Sequence, residues 1–213
     1  MKVVSLSVGG PRTVDWNGGT VLTSIFKTPT DRRLKVTALN IEGDKQSDLS
    51  VHGGYEKAVY AYPSEHYPLW RNELGEELPW ASFGENLTTE GLFEDVRIGD
   101  RFRIGSAEFI VTQPRMPCYK LGIKFGRSDI VQKFLASERS GFYFAVLKEG
   151  EVGVGDPIER MEKSERSVRV SDITQLYTHE KHNVGLLRRA IEVEALPESW
   201  KIYFQHRLEK LTN

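Results

Sequence analysis

Apolar and polar residues alternate in short runs through about residue 160, and glycine or aspartate turns separate the runs. Alternation with a period of two is typical of β-strands that bury one face. The strand candidates are residues 3–8, 20–26, 34–41, 58–62, 101–104, 108–112 and 143–147. The pattern therefore predicts a β-rich domain over most of the chain.

Helical patterns interrupt these strands twice, at residues 64–74 and 129–136. Pro63 precedes the first pattern. Ser128 is a candidate N-cap of the second, because its hydroxyl can accept a free backbone N–H. Apolar residues of the second pattern recur on one face, as in a helix that packs on a core. We therefore expect two helices added to the β-rich domain.

Three further helical patterns follow a charged connector at residues 160–169. They cover residues 172–177, 184–190 and 198–211, and their start signals are Ser171, Asn183 and Pro197. Serine and asparagine are common N-caps, and proline suits the first turn of a helix. We predict a mainly β domain with α additions over residues 1–162, followed by a three-helix module over residues 163–213.

The charged residues nearly cancel, since 29 Lys and Arg stand against 30 Asp and Glu. This balance lacks the basic excess that binding to a nucleic acid polymer requires. The first ten residues break at glycine, unlike a signal peptide, and no run approaches the roughly 18 apolar residues of a membrane span. A single cysteine cannot form an internal disulfide. We therefore expect a cytoplasmic protein with neither nucleic acid polymer nor membrane as a partner.

The loop around Cys118, the sole cysteine, combines the most unusual residues of the chain. Pro114 and Pro117 stiffen the loop directly after a predicted strand. Arg115 and Lys120 place positive charge nearby, which favours the thiolate that attacks electrophiles or binds metal. A buried cysteine that acts as a small apolar side chain explains the same position equally well.

A second cluster leads into the fourth predicted strand. Gly53 and Gly54 let the backbone approach a ligand, and Lys57 can pair with an anion held by the N–H groups of the loop. Asp48 and His52 can donate or accept hydrogen bonds, and His52 can move a proton. An ordinary turn with a structural histidine explains these residues as well.

A third cluster combines Gly84, Glu85 and Asn86. An acid and an amide after glycine can make several directed hydrogen bonds to a ligand. A capped turn that enters a strand explains the cluster equally well. Only the combination of the three clusters is informative.

A zinc site is disfavoured by the spacing of its candidate ligands Asp48, His52, Glu65 and His66. Glu65 and His66 are adjacent in a predicted helix, so their side chains point about 100° apart. The chain has neither His-Glu-x-x-His nor paired Cys-x-x-Cys spacing, and it lacks the glycine patterns of dinucleotide and Walker loops. We therefore expect no zinc hydrolase and no nicotinamide dinucleotide bound by this chain.

Taken together and in order, these motifs resemble the MOSC domain, named after the C-terminal part of molybdenum-cofactor sulfurase, and specifically its YiiM type. The matching stretches are residues 44–48, 52–54, 57–63, 83–87, 98–100, 113–118 and 140–143. The C-terminal helical patterns resemble the three-helix module of this type. The resemblance implies a twisted β-barrel-like domain that binds molybdenum cofactor (molybdopterin), while pyridoxal phosphate is not expected.

The resemblance also implies roles for individual residues. Cys118 would be the protein's ligand to molybdenum, and His52 and Asp48 would serve catalysis with it, toward either cofactor or substrate. The residues implied to contact the phosphate and pterin of the cofactor are Gly53, Gly54, Lys57, Gly84, Glu85, Asn86 and Arg115.

The function implied by the resemblance is reduction of N-hydroxylated compounds, such as 6-N-hydroxylaminopurine, to amines, as a detoxification. No flavin, iron–sulfur or nicotinamide signature is present, so we expect a separate electron-donating reductase. The helical module is a candidate docking site for it, or else caps the β domain or forms a homodimer. The alternatives are a non-catalytic carrier of sulfur or molybdenum cofactor on Cys118, and a redox-regulated binding protein without metal.

Overall fold

The computed structural model describes residues 1–46 and 53–212. Its strands are β1 Lys2–Val8, β2 Arg12–Trp16, β3 Gly19–Thr23, β4 Thr28–Thr30, β5 Leu34–Val36, β6 Val59–Pro63, β7 Leu87–Glu90, β8 Arg101–Ile104, β9 Ala107–Pro114, β10 Phe142–Lys148, β11 Gly150–Val152 and β12 Ile158–Glu162. Its α-helices are α1 Tyr67–Leu74, α2 Tyr119–Phe125, α3 Ile130–Ser137, α4 Val170–Thr178, α5 Val184–Ile191 and α6 Glu198–Thr212. The fold is therefore mainly β with helices added, as predicted.

Eight strands form one mixed sheet in the order β12-β8-β9-β10-β6-β7-β1-β4. Neighbouring strands are antiparallel, except that β6 and β7 run parallel. The alternation that predicted the strands is visible in β8, where Phe102 and Ile104 are buried while Arg101 and Arg103 face outward. Two smaller sheets pair β2 with β3 and β5 with β11.

The predicted barrel is not closed by a continuous ladder. The end strands β12 and β4 are not paired with each other, and an isolated bridge between Lys2 and Pro157 joins the start of β12 to β1. A backbone hydrogen bond of 3.0 Å from Ile158 N to Met1 O supports this contact. Pro157 has no N–H to donate, so a regular ladder cannot continue through it.

Several sequence-based boundaries require correction. The strand predicted over residues 20–26 ends at Thr23, and the one predicted over 34–41 ends at Val36. Strands β2, β4 and β11 and helix α2 were not predicted. The first of the two predicted added helices begins as a 3-10 turn before continuing as α1.

Two of the three predicted N-caps, Ser128 and Ser171, were placed wrongly. Asp129 occupies the N-cap position of α3, one residue after Ser128. Ser171 lies inside α4, where the carboxylate of Asp172 accepts the backbone N–H of Arg169 at 2.8 Å. Asn183 is confirmed as a cap, because its Oδ1 accepts the N–H of Leu186 at 3.0 Å.

Helices α4, α5 and α6 pack on the β domain through one continuous apolar core. Phe144 of the sheet belongs to the same buried cluster as Ile173, Leu187 and Phe204 of these helices. The division of the chain at residues 162 and 163 remains a prediction. In the part of the chain that the structure describes, no helix is long and apolar enough to cross a membrane.

A second buried cluster consists mainly of aromatic side chains. It contains Tyr60 and Tyr62 of β6, Trp70 of α1 and Phe134 of α3, together with Phe83 from the loop before β7. Nε1 of Trp70 donates to the hydroxyl of Tyr62 at 2.7 Å, so the indole is satisfied although it is buried. This aromatic cluster supports one side of the candidate site.

Candidate functional site

Cys118 lies between a strand end and a helix start. Strand β9 ends at Pro114, which pairs with Phe142 of β10, and α2 begins at Tyr119. Cys118 has extended backbone angles, φ −122° and ψ 175°, and its carbonyl accepts the N–H of Leu121 at 2.9 Å. The side chain is partly exposed. The loop of residues 115–118 is therefore anchored at both ends, as the two prolines suggested.

The side chain of Cys118 lines an open cleft of about 660 Å³, a volume that includes its solvent-filled mouth. The structure brings five of the predicted site residues to this cleft, namely Lys57, Gly84, Asn86, Arg115 and Cys118. They come from the turn before β6, the loop before β7 and the loop after β9. The cleft is therefore built where separate parts of the large sheet meet.

The lining of the cleft is strongly cationic. Among its described residues, Lys27, Lys57, Arg115 and Lys120 are cations, and Asp44 is the single carboxylate. The whole chain has a formal charge of −1, so positive charge is concentrated here. A concave surface with one sign of charge attracts ligands of the opposite sign. The cleft is thus suited to an anionic ligand.

Arg115 is the most unusual of these cations because its guanidinium is buried without an anionic partner among the described residues. Its side chain lies over the rings of Tyr60 and Phe134, 5.5 and 5.1 Å from their centroids. The residue is 6% exposed, and Nη1 has no hydrogen-bond partner among the described residues. An unpaired buried charge is costly, so this position favours a bound anion.

A second buried polar atom in the cleft also lacks a described partner. The hydroxyl Oγ of Ser24 is shielded from solvent, makes no hydrogen bond to the described part of the protein, and belongs to the same lining as Arg115. Buried hydroxyls are normally hydrogen-bonded. The hydroxyl of Ser24 and the guanidinium of Arg115 are therefore two buried groups in the lining that a ligand could hydrogen-bond.

Lys27 has a counter-ion, in contrast to Arg115. Its Nζ forms a buried ion pair with Oδ1 of Asp44, and the same oxygen accepts the backbone N–H of Gly9 at 3.0 Å. Burial lowers the pKa of Lys27, while the charge and hydrogen bond of Asp44 oppose this effect. Burial also lowers the pKa of Lys57. A lysine with a lowered pKa gives up its proton more readily than a solvated lysine.

Sequence reasoning missed Lys27 and Ser24 as residues of the cleft, and placed Asp44 and Tyr143 only in matching stretches. Lys27 and Asp44 are 17 residues apart in the chain and belong to no local motif. Tyr143 alternates normally within β10. No signal in a single sequence distinguishes these residues from ordinary surface or strand positions.

Glu85 lies behind the wall of the cleft and not in its lining. Its carboxylate accepts the N–H groups of Ala81 and Phe83 at 3.0 and 3.1 Å, the hydroxyl of Thr88 at 3.0 Å, and the hydroxyl of Tyr67. Burial raises the pKa of Glu85, and these hydrogen bonds oppose the rise. Glu85 therefore organises the loop, and its contact with a cofactor stays a prediction.

Asn86 reaches the cleft, but its amide is used by the protein. Oδ1 accepts the N–H of Tyr60 at 3.1 Å, and Nδ2 donates to the carbonyl of Ser7 at 3.3 Å. Gly84 has φ +78°, and a Cβ there would lie 2.9 Å from Cγ1 of Ile25. Gly84 and Asn86 thus shape the wall of the cleft by backbone geometry and by connecting strands.

Gly53 and Gly54 do not line the cleft. Gly54 has φ +99°, its carbonyl accepts the N–H of Lys57 at 3.1 Å, and a Cβ at this position would meet nothing within 4 Å. These glycines begin the turn that carries Lys57. Asp48 and His52 lie outside the described residues, so their predicted catalytic roles stay predictions.

A self-sufficient metal site is absent from the described residues, where no three His, Cys, Asp or Glu side chains converge. His66, once considered as a zinc ligand, is buried and its Nε2 lies 2.9 Å from the carboxylate of Glu94. Cys118 is therefore not part of a cluster of three or more metal-ligating side chains in the described chain.

Comparisons with known proteins identify the family of this chain. The MOSC domain matches residues 48–159, and the YiiM-like, 3-alpha helix domain matches residues 170–211. The crystal structure of YiiM from Geobacillus stearothermophilus superposes with a TM-score of 0.83 at 35% identity, covering 97% of this chain and 98% of that chain.

Two curated relatives extend the comparison. The uncharacterized protein YflK of Bacillus subtilis is 41% identical over 211 residues, covering 99% of this chain and 96% of that protein. A protein of Gibberella moniliformis named as a reductase is 30% identical over 181 residues, which cover 83% of this chain and 32% of that protein. The domain match and these identities show that the chain belongs to the MOSC domain family and carries the YiiM-like three-helix domain.

Proposed function

We propose that this chain is a molybdenum-cofactor-dependent oxidoreductase that reduces N-hydroxylated compounds such as 6-N-hydroxylaminopurine to amines, with Cys118 as the protein's ligand to the metal. The observation that carries the proposal is the position of the sole cysteine at a cationic cleft in which Arg115 Nη1 is buried without a described partner. Membership of the MOSC family and the relative named as a reductase support it.

The residues of the cleft fit the chemistry of the cofactor. Molybdopterin carries a phosphate, for which Arg115 and Lys57 supply positive charge and Ser24 Oγ supplies a hydrogen bond. Cys118 supplies a soft sulfur ligand, as the thiolate, to a metal that the dithiolene already binds. When bound, the cofactor supplies two-electron redox chemistry at molybdenum, which no side chain of this protein provides.

The overall reaction balances without oxygen. An N-hydroxylated amine, two electrons and two protons give the amine and water. The electrons come from a separate reductase protein, since the sequence has no flavin, iron–sulfur or nicotinamide signature.

The chain's own residues bind, orient and move protons. Arg115 and Lys57 hold the anionic part of the cofactor, and the Cys118 loop orients the reacting centre. Lys27 belongs to the lining of the cleft, and because burial lowers its pKa we assign it as the proton donor for the leaving hydroxyl. Asp44 then stabilises the lysine when it regains its proton.

Turnover tests the proposal. The protein is produced in a host that makes molybdenum cofactor and is supplied with a chemical electron donor and 6-N-hydroxylaminopurine. Formation of adenine is measured. We expect turnover by the wild type and a loss of at least about 100-fold in Cys118→Ser, because the thiolate ligand is removed. Tyr119→Phe, at the exposed neighbouring residue, serves as the control.

The alternative function, a carrier of sulfur or molybdenum cofactor on Cys118, makes a different prediction in the same assay. A metal-loaded wild-type protein that forms no amine from any N-hydroxylated substrate contradicts the reductase and leaves the carrier. A protein that never acquires metal contradicts reductase and cofactor carrier alike.

A further inference from the structure

The three-helix module reaches the strand that carries the Cys118 loop. Nε1 of Trp200 in α6 donates to Oε1 of Gln113 in β9 at 3.0 Å. Gln113 comes two residues before Arg115 and five before Cys118. Trp200 is 9% exposed and Gln113 4% exposed, so water cannot readily replace the bond. Loss of one partner would leave a buried polar group unsatisfied.

A second contact of the module reaches the segment directly before the neighbouring strand, β10. Oγ1 of Thr174 in α4 lies 3.4 Å from Oγ of Ser140, and both side chains are buried. Ser140 precedes Gly141, whose carbonyl accepts the backbone N–H of Arg115 at 3.3 Å. The module therefore contacts Gln113 and Ser140, which lie close in sequence to the two residues of this backbone hydrogen bond.

The pairing of the two strands connects these contacts. Tyr143 pairs with Gln113, and Phe142 pairs with Pro114, directly before the loop leaves the sheet. Helix α4 adds a third contact nearby, where Nε2 of Gln175 donates to Glu138 at 3.1 Å. A shift of the module would thus be transmitted to the last paired residues before Arg115 and Cys118.

We infer that the three-helix module positions the Cys118 loop, acting through Trp200 on Gln113 and through Thr174 on Ser140. This role differs from docking a partner or capping the sheet, because its target is the geometry of the cleft. The effect on the loop does not depend on the proposed function, whereas the effect on turnover rests on it. Trp200 and Thr174 are positioning residues, since both act through other side chains.

Alkylation of the sole cysteine reports on the loop directly. The rate of reaction of the full chain with iodoacetamide is measured without cofactor, over a pH series that separates the limiting rate from thiol ionisation. We expect Trp200→Phe to raise the limiting rate about fivefold, because loss of a buried hydrogen bond loosens the loop. Gln113→Met breaks the same bond from the other side and is expected to raise the rate similarly.

A double-mutant cycle and a control separate positioning from general instability. The Trp200→Phe, Gln113→Met double variant is expected to react no faster than either single variant, because both remove one interaction. Phe204→Leu shortens a fully buried ring in the same helix without removing a hydrogen bond. It is expected to lower the melting temperature at least as much as Trp200→Phe while leaving the alkylation rate within about twofold of wild type.

An alkylation rate within twofold of wild type in Trp200→Phe, or an equal acceleration in Phe204→Leu, would overturn the inference. If Trp200→Phe does not fold, Gln113→Met and Thr174→Val are judged by the same criterion. Molybdenum content and turnover are measured on the same proteins. Wild-type protein without molybdenum contradicts only the proposed function, because alkylation is measured on the free chain.

Discussion

On one wall of the cleft Arg115 lies buried over aromatic rings without an anionic partner in the described chain, whereas on another wall Lys27 is paired with Asp44. Both cations are shielded from water, yet among the described residues only Lys27 has a carboxylate that neutralises it. A paired buried charge contributes to the stability of the fold, because removing either member leaves the other charge buried without a partner. A buried charge without such a partner can instead pair with a bound ligand of opposite charge. The ion pair of Lys27 therefore stabilises the cleft, and Arg115 is the cation that favours anion binding.

Neutralising Asp44 is expected to have the largest effect on stability. Asp44→Asn keeps an acceptor for the N–H of Gly9 but leaves Lys27 buried without a counter-ion. We expect a loss of about 3–5 kcal/mol in the free energy of unfolding, measured with urea. Glu42→Gln removes an exposed carboxylate that pairs with Arg32, so it should cost less than about 0.5 kcal/mol. Equal effects of the two substitutions would show that the Lys27 wall is not held by its ion pair.

A methyl group at Gly84 tests the contact between the loop before β7 and the segment that carries Lys27. Gly84→Ala places a Cβ at φ +78° and 2.9 Å from Ile25, two residues before Lys27. We expect a loss of about 1–3 kcal/mol from backbone strain and displacement of Ile25. Gly126→Ala has a similar φ of +64° but open space around the new atom, so it measures the backbone cost alone. Unfolding in urea should show the larger loss for Gly84→Ala, and equal losses would exclude a tight contact.

The pH dependence of stability tests the burial of Lys27. Its folded pKa lies below its ordinary value of 10.5, so the unfolded chain binds more protons between the two values. Stability therefore rises with pH across that window, by at most about 1.4 kcal/mol per pH unit for one proton. The buried tyrosines Tyr60, Tyr62 and Tyr143 have raised pKa values and oppose this rise above pH 10.

The contribution of Lys27 is isolated by comparing wild type with Lys27→Met across the same pH series. The difference in unfolding free energy between them should change in favour of wild type as the pH rises toward 10.5. A difference that is constant with pH would mean that the lysine titrates as it does in the unfolded chain.

Replacing Arg115 is expected to change stability least and anion binding most. Arg115→Met removes a buried charge without a described partner, so the free energy of unfolding should change by less than about 1 kcal/mol. Inorganic phosphate should raise the melting temperature of wild type but not of Arg115→Met. Arg103→Met, which loses an exposed pair with Glu159, should retain the phosphate effect. A strongly destabilised Arg115→Met that still responds to phosphate would reverse the assignment of the two walls.

The parts of the site that were predictable from sequence are those encoded by neighbouring residues. The loop around Cys118 was found because two prolines and a basic residue adjoin the cysteine, and the strands were found through their alternation. Helix α2 was missed because seven residues with a central glycine show too little periodicity. The predicted N-cap Ser128 is one residue early, since Asp129 occupies the cap position of α3 while its carboxylate pairs with Arg127.

The remaining features depend on contacts between distant residues. Lys27 meets Asp44, and Trp200 meets Gln113 across 87 positions, only after the chain has folded. Glu85 shows a related difficulty, because the sequence does not indicate that its carboxylate accepts hydrogen bonds from backbone N–H groups. Neither the hydrophobic pattern of a sequence nor the spacing of its residues indicates whether a polar side chain already has its hydrogen-bond partners within the protein.

Molybdenum content tests the role of Cys118 most directly. Wild type, Cys118→Ser and the neighbouring control Tyr119→Phe are produced in a host that makes molybdenum cofactor, and metal per chain is measured by elemental analysis. We expect about one molybdenum per chain in wild type and the control, and less than about a tenth of that in Cys118→Ser, because the thiolate ligand is lost. Molybdenum at the wild-type level in Cys118→Ser would contradict ligation by this cysteine.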